Sequence, residues 1–300
     1  MTGTGDRTLL HGLHALWRMA RPSQLALIGL VYVLGIAMAA GYGATPEPQG
    51  ALRGLVALLP VAASVHYANE YADYETDALT TRTPFSGGSG ALIDTGIPRR
   101  LALAAAVVTG GLGLTVVATV GVGSSAAAGL LAVIFLAGWQ YSLPPLRFAW
   151  RGLGAFVNAA LGGVLLPLYG YAVVAGQVTT EPVLATIPFA LVVFVNLLET
   201  TWPDREADAA VGKRTLVVHW PVRAVRAAYA LGSVAAAGSV VVLAGAVLPR
   251  LVAAAALAPM VGLVWGITRF TRRETPLPAV LTMVAVAATT TAAWAVVAIR

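Results

Sequence analysis

Long apolar runs recur along the chain and are separated by short polar connections. A helix needs about 20 apolar residues to cross the hydrocarbon core of a bilayer. These runs do not alternate in hydrophobicity, as the strands of a membrane β-barrel do. The pattern therefore predicts an all-α integral membrane bundle of nine transmembrane helices. The predicted spans lie near residues 22–42, 51–73, 101–121, 126–145, 153–175, 183–203, 224–248, 250–268 and 277–299.

The composition agrees with lipid as the solvent of this chain. Its residues are 58% hydrophobic and 11% charged, whereas soluble proteins carry roughly 25% charged residues. The net charge is +6, but the basic residues lie between apolar runs. This placement favours membrane lipids and an anionic substrate as partners and argues against nucleic acid. The absence of cysteine excludes disulfides and thiolate chemistry.

The basic residues also predict the orientation in the membrane. Of the 19 lysines and arginines, all but Arg53, Arg250 and Arg300 lie at the amino terminus or after an even-numbered span. Basic residues concentrate in cytoplasmic loops, so we expect these segments in the cytoplasm of a multi-pass cell-membrane protein. Two of them, 74–100 and 204–223, are long. We expect these two loops to form a cytoplasmic cap, with the active site on that side.

The chain is predicted to be one domain over residues 1–300. Within it, we interpret residues 22–145 and 153–268 as two halves of a pseudo-repeat, followed by a ninth helix at 277–299.

Eight of the 13 acidic residues lie in two short segments, 69–77 and 199–208, at the ends of spans 2 and 6. Residues four apart share a helix face, so each segment carries a stripe of side-chain oxygens. Magnesium prefers oxygen ligands and bridges to phosphate. The two stripes predict Mg²⁺ as the cofactor and a diphosphate as the substrate. The four aspartates of the stripes are also predicted to be catalytic. The predicted metal ligands are Asn69, Asp73, Asp77, Asp204 and Asp208.

Other interpretations of the acidic segments stay open. They could be solvated helix ends, or they could bind ions in a transporter. Transporter acids usually lie near the bilayer midplane, whereas these lie at span ends.

Basic and aromatic residues follow each acidic segment on the same predicted side. Arginine binds phosphate oxygens as a fork and lysine as a point charge, whereas an aromatic face stabilises a cation. Single aromatic residues are also common as anchors at the membrane interface, and this alternative stays open. The predicted substrate-binding residues, in addition to Asn69, are Arg21, Tyr71, Arg82, Tyr141, Arg147, Lys213 and Arg214.

These residues resemble the UbiA superfamily of intramembrane prenyltransferases, over the whole chain. Asn69, Asp73 and Asp77 match the first acidic motif of that family, and Asp204 and Asp208 match the second. Three further segments resemble family sequences: Arg21-Pro22, 141–147 and 212–216.

Two residues depart from the family pattern. Glu70 replaces the usual second Asp of the first motif, and Thr200 stands where the dihydroxynaphthoate branch often has Asn. The glycine-rich segment 85–90 is most similar to that branch.

The resemblance implies an Mg²⁺-dependent enzyme that ionises an isoprenyl diphosphate and transfers the prenyl chain to an aromatic, quinone-precursor-like acceptor. The family also contains terpene cyclases, which close the cation on its own double bonds. An electron-rich acceptor needs no strong base and leaves little trace in a sequence. The cyclase therefore stays an alternative, and a transporter is a second one.

Overall fold

The computed structural model describes residues 3–83 and 87–300, without the side chains of residues 3–10. This part of the chain is helical and contains no β-strand. A 3₁₀ turn at Phe148–Arg151 and a π-helix at Leu161–Leu165 supplement the α-helices. The α-helices are α1 (Gly3–Met19), α2 (Pro22–Gly41), α3 (Pro48–Ala72), α4 (Tyr74–Asp77), α5 (Ala91–Thr95), α6 (Arg100–Val120), α7 (Ser125–Ser142), α8 (Gly154–Ala160), α9 (Leu166–Ala175), α10 (Thr180–Thr201), α11 (Arg205–Ala210), α12 (Leu216–His219), α13 (Val222–Leu243), α14 (Arg250–Met260), α15 (Gly262–Arg269) and α16 (Leu277–Ile299).

Nine helical segments of the described chain are long and apolar enough to cross a bilayer. They are α2, α3, α6, α7, α8–α9, α10, α13, α14–α15 and α16, and each coincides with a predicted span. The prediction of a nine-helix, all-α membrane bundle is confirmed. The fourth span ends earlier than predicted, at Ser142, because Pro144 disfavours helical backbone at the residue before it. The seventh ends at Leu243, before a turn in which the Gly245 N–H donates to the Leu248 carbonyl.

Close backbone contact holds the spans together. Helix α2 packs against α9 and α16, α3 against α6, and α10 against α13. At the first of these contacts Gly35 faces the Pro167 carbonyl and Gly170 faces the Tyr32 carbonyl, with no room for a Cβ at either glycine. Small residues of this kind allow membrane helices to approach closely without a hydrophobic driving force.

Helix α1 precedes the first span and was not predicted. Its end packs Ala15 and Met19 in a cluster with Tyr67 of α3 and Leu92 of α5. The chain then reverses at Arg21, which has a left-handed backbone with φ 52°. This packing brings Arg18 and Arg21 beside the end of α3.

The two long connections fold into the short helices α4 and α5, and α11 and α12. They meet at one end of the bundle, where α4 contacts α11. Both acidic segments therefore lie at the same end, which we call the loop end. The cytoplasmic position of the loop end and the pseudo-repeat stay predictions.

Candidate active site

The first acidic segment follows a break in the helix. Helix α3 ends at Ala72, and the N–H of Asp73 donates to the Asn69 carbonyl at 2.8 Å. The chain then continues as α4, which ends at Asp77. Despite the break, the side chains of Asn69, Asp73 and Asp77 all line one cavity.

The second acidic segment is built in the same way at the end of α10. Asp204 caps α11, and the N–H of Asp208 donates to its carbonyl at 2.8 Å. Both side chains line the same cavity as the first segment. The Gly87 N–H donates to Asp204 Oδ2 at 3.3 Å and ties the first loop to the second acidic segment.

Lys213 lies between the two acidic segments. Its Nζ is 3.2 Å from Asp73 Oδ1 and 3.3 Å from Asp208 Oδ1, so one ammonium joins both segments. Although burial favours the neutral amine, the carboxylates of Asp73 and Asp208 raise the pKa of Lys213. Lys213 therefore stays charged and partly balances the acidic residues around it.

The other acidic side chains of the site are buried and have too few cationic partners to neutralise their charge. Burial, followed by repulsion from Asp73 and Glu70, raises the pKa of Asp77 to about 7. Burial and then Asp208 raise the pKa of Asp204 to about 6, and burial also raises the pKa of Asp208. A raised carboxyl pKa means that the ionised form is disfavoured there, so a bound cation would stabilise the ionised site.

The oxygen atoms suited to such a cation are present. Among the predicted metal ligands, four buried oxygens lack a hydrogen-bond partner, namely Oδ1 of Asn69, Asp73, Asp204 and Asp208. Those of Asp73 and Asp208 form ion pairs with Lys213. Within the described residues, no three acidic or histidine side chains converge closely enough to enclose a metal alone. An open set of oxygens fits Mg²⁺, which keeps water and takes phosphate oxygens as further ligands.

Glu70 has a different role from its neighbours. Its carboxylate is 2% exposed and accepts four hydrogen bonds. Arg21 donates two of them to Oε1 from Nε at 3.0 Å and Nη2 at 2.6 Å. Ser89 donates its N–H to Oε1 at 2.9 Å and its hydroxyl to Oε2 at 2.6 Å. Glu70 thus joins the start of α2, the end of α3 and the first loop, and we call this arrangement the Glu70 anchor.

Arg82 lines the cavity but is held by a carboxylate of its own loop. Its guanidinium donates to both oxygens of Asp94, at 2.9 and 2.5 Å. Arg18 donates to Asp94 Oδ2 at 2.7 Å and to the Ser89 carbonyl at 2.8 Å. Arg82 and then Arg18 hold the pKa of Asp94 well below its ordinary value. These contacts close the first loop over the acidic segments.

Below the loop end, the cavity extends between the spans with a volume of about 910 Å³. Its inner wall is mostly aliphatic and aromatic, from α2, α3, α7, α10 and α16. Tyr141 of α7 lies where the inner wall meets the acidic segments. The cavity therefore combines a charged mouth with an apolar interior, as an amphiphilic molecule with an anionic head requires.

Three predicted substrate-binding residues are not among those that line this cavity, and their role in substrate binding stays a prediction. The ring of Tyr71 is half-buried and lies 5.4 Å from the Arg99 guanidinium. Arg147 has a left-handed backbone and stacks on Trp150 at 3.9 Å. Arg214 is exposed, and its N–H donates to the Trp150 carbonyl. The backbone turns around these residues, which spacing along the chain could not predict.

The other predicted substrate-binding residues line the cavity. Arg21, Arg82, Tyr141 and Lys213 line the cavity together with Asn69 and the four aspartates. Phe85 and Ser86 of the glycine-rich segment lie outside the described residues. Its Gly88 has φ +66° and packs against the Asp77 carboxylate, where a Cβ would not fit.

The sequence reasoning missed several polar residues of the cavity. Ser89 and Arg18 act through the Glu70 anchor and Asp94, which depend on the folded loop. Asn158 and Asn196 line the inner wall. Each is a single amide within an apolar span, and polar residues at membrane depth are candidates for function.

The fold and the two acidic segments define a polytopic helical membrane protein with buried carboxylates and cationic side chains clustered at one end. Comparison with known proteins agrees, since residues 29–287 match the UbiA prenyltransferase family. The chain belongs to this family, and its class as a prenyltransferase enzyme is confirmed.

Two curated relatives align over about two thirds of their length. Digeranylgeranylglyceryl phosphate synthase of Thermococcus gammatolerans is 32% identical, covering 69% of this chain and 69% of the relative. The 1,4-dihydroxy-2-naphthoate octaprenyltransferase of Bacillus subtilis is 24% identical, covering 68% of this chain and 65% of the relative.

Among solved structures, a UbiA homologue from Archaeoglobus fulgidus bound to GPP and Mg²⁺ has the same fold. Its TM-score is 0.69 at 19% identity, with 95% of this chain and 100% of the homologue covered.

Proposed function

We propose that this chain is an Mg²⁺-dependent prenyltransferase that transfers the prenyl chain of an isoprenyl diphosphate to an aromatic, quinone-precursor-like acceptor. One observation carries the proposal: both acidic segments, with buried oxygens that lack hydrogen-bond partners, line the charged mouth of one cavity of about 910 Å³ whose interior is apolar. The likeness to a homologue bound to GPP and Mg²⁺ supports it.

The residues present fit a bound magnesium ion. Asn69, Asp73, Asp77, Asp204 and Asp208 would hold it through their side-chain oxygens. When bound, Mg²⁺ stabilises negative charge on phosphate oxygens as a diphosphate leaves. These residues belong to both acidic segments, and water and phosphate oxygens would complete the coordination of the metal.

The cationic residues bind and orient the diphosphate. Lys213 lies between the segments and supplies a point charge there. Arg82 also lines the cavity, and its guanidinium, held by Asp94, adds positive charge beside the diphosphate. Arg21 is held by Glu70 and adds positive charge at the mouth. Together they stabilise the leaving anion, which lowers the barrier to ionisation.

The apolar interior protects the prenyl cation. Water would capture an allylic cation, so the reacting carbon must lie in a dry cavity. Leu27, Leu58 and Phe189 belong to its apolar wall and would accept the prenyl tail. The ring of Tyr141, near the acidic segments, would stabilise the cation through its π-face. We place the loop end on the cytoplasmic side, where the basic loops lie.

The test is a product assay with purified protein. The protein is incubated with Mg²⁺ and C10 to C20 isoprenyl diphosphates, with and without aromatic acceptors, and lipid products and released diphosphate are measured. Prenylated acceptor together with diphosphate release supports the transferase. A cyclic terpene formed without acceptor would instead assign the cyclase reaction. No diphosphate release with any substrate would contradict enzymatic ionisation.

A further inference from the structure

The inner wall of the cavity contains two amides that the ionisation chemistry does not use. Asn196 lies on α10, five residues before its end at Thr201, and is 6% exposed. Its Oδ1 is buried and has no hydrogen-bond partner. A buried polar group without a partner is costly, so an amide kept at this depth points to a ligand that completes its hydrogen bonds.

Asn158 lies at the same level on the neighbouring span. Helices α8 and α10 pack against each other, and Gly163 faces the Ala190 backbone without room for a Cβ. Successive spans run antiparallel. Asn158 precedes Gly163 by five residues and Asn196 follows Ala190 by six, so both asparagines lie on the same side of this contact and at a similar depth. The Asn158 amide also faces the Tyr141 side chain, which places both amides near the reacting end of the cavity.

The local backbone supports a binding role for this wall. The π-helix Leu161–Leu165 follows Asn158 directly, and Leu161 and Gly162 line the cavity. Single π turns within α-helices occur frequently at functional sites. In this protein the π-helix changes which face of the fifth span lines the cavity, and the Asn158 amide lies beside Tyr141.

The charge distribution restricts what the two amides can bind. Among the described residues, the charged side chains that line the cavity all belong to its mouth. His66, one turn below Glu70, is committed through Nδ1 to the Ala20 carbonyl at 2.8 Å. The charged side chains nearest to Tyr141 are Lys213, Asp73 and Asp208, and Lys213 is already shared by the two carboxylates. A carboxylate placed between the asparagines would therefore have no counter-ion of its own, which is unfavourable in an apolar site. A hydroxyl can both donate to and accept from an amide.

We propose that Asn158 and Asn196 form the acceptor subsite and that it takes a neutral, hydroxyl-bearing acceptor. The amides hydrogen-bond the acceptor hydroxyl and hold its ring against the prenyl carbon next to the diphosphate. This inference rests on the proposed transferase function and specifies the acceptor that it uses.

The test separates acceptor binding from ionisation. Asn158→Leu and Asn196→Leu are compared with wild type using geranyl diphosphate, Mg²⁺ and 1,4-dihydroxynaphthalene as acceptor. Each variant should raise the acceptor KM about tenfold, as expected for one lost hydrogen bond, while the KM for geranyl diphosphate stays within about twofold. The matched control is Thr186→Val, a near-isosteric change of a buried polar residue on α10 outside this cavity.

A second measurement uses only the wild-type protein, so misfolding of a variant cannot affect its result. Wild type should use 1,4-dihydroxynaphthalene with a higher kcat/KM than 1,4-dihydroxy-2-naphthoate, because the carboxylate has no counter-ion between the amides. A preference for the carboxylated acceptor, an unchanged acceptor KM in both variants, or an equal rise in the KM for geranyl diphosphate would each overturn the subsite. A wild type without diphosphate release overturns the proposed function and the subsite with it, whereas normal release with unchanged acceptor kinetics overturns the subsite alone.

Discussion

The Glu70 anchor gives the sharpest prediction for a single residue. Replacing Glu70 by Ala leaves the Arg21 guanidinium beside an empty space and frees both Ser89 donors. Breaking a buried ion pair by removing one partner costs about 3–5 kcal/mol. We therefore expect Glu70→Ala to lower the unfolding temperature markedly in detergent. This large effect would make its activity difficult to interpret.

Glu70→Gln is the more informative change, since it keeps the shape and removes the charge. The carboxylate accepts four hydrogen bonds through its two oxygens, whereas the amide of glutamine has only one acceptor oxygen. Charge-assisted hydrogen bonds are worth about 1.5–3 kcal/mol each, so losing the bond from the Ser89 hydroxyl to Oε2 weakens the closed first loop by roughly this amount. Because 1.4 kcal/mol corresponds to a factor of ten, kcat/KM for geranyl diphosphate should fall about ten- to a hundredfold.

The assay is the initial rate of diphosphate release at varied geranyl diphosphate and varied Mg²⁺. A loosened anchor should raise the KM for geranyl diphosphate and leave the Mg²⁺ concentration for half-maximal rate unchanged. The matched control is Glu75→Gln, because Glu75 is an exposed carboxylate 3.4 Å from Arg99 in a pairing remote from the anchor. A kcat/KM within twofold of wild type would refute the anchor. A raised Mg²⁺ requirement would instead make Glu70 a metal ligand.

Three further predictions concern charge and orientation. Asp208→Asn should lower turnover about 100- to 1,000-fold in the diphosphate-release assay, and normal turnover would remove Asp208 from the site. Lys213→Ala should weaken inorganic diphosphate binding about tenfold by calorimetry, whereas the exposed Arg214→Ala should change it less than about twofold; the reverse order would contradict the geometry. Reporter fusions should be cytoplasmic at Gly212 and external at Gly176, and the opposite result would reverse the orientation.

The fold was largely predictable because lipid restricts the options of the backbone. Apolar length and the need for internal hydrogen bonds select helices and set their number. Helix ends were less predictable, as at Ser142, where prolines shorten the span. Helix α1 was missed because a pattern of mixed polarity has no apolar run of membrane length.

The acidic part of the site was predictable from local spacing, since Asn69, Asp73 and Asp77, like Asp204 and Asp208, lie within one or two turns of each other. The rest depends on tertiary contacts. Sequence position suggested the same role for Lys213 and Arg214, but the backbone turn buries one and exposes the other. The sequence shows only that Glu70 replaces the second Asp of the family motif, whereas the folded loop brings Ser89 and Arg21 to it.

Isothermal titration with a thiolo analogue of geranyl diphosphate, which resists cleavage, tests most directly whether the two acidic segments act as one site. We expect tight binding to wild type with Mg²⁺ present and weak binding in excess chelator. Asp73→Asn and Asp208→Asn, one from each segment, should both lose the Mg²⁺-dependent part of the affinity. Full Mg²⁺-dependent affinity in either variant would contradict a shared magnesium and diphosphate site.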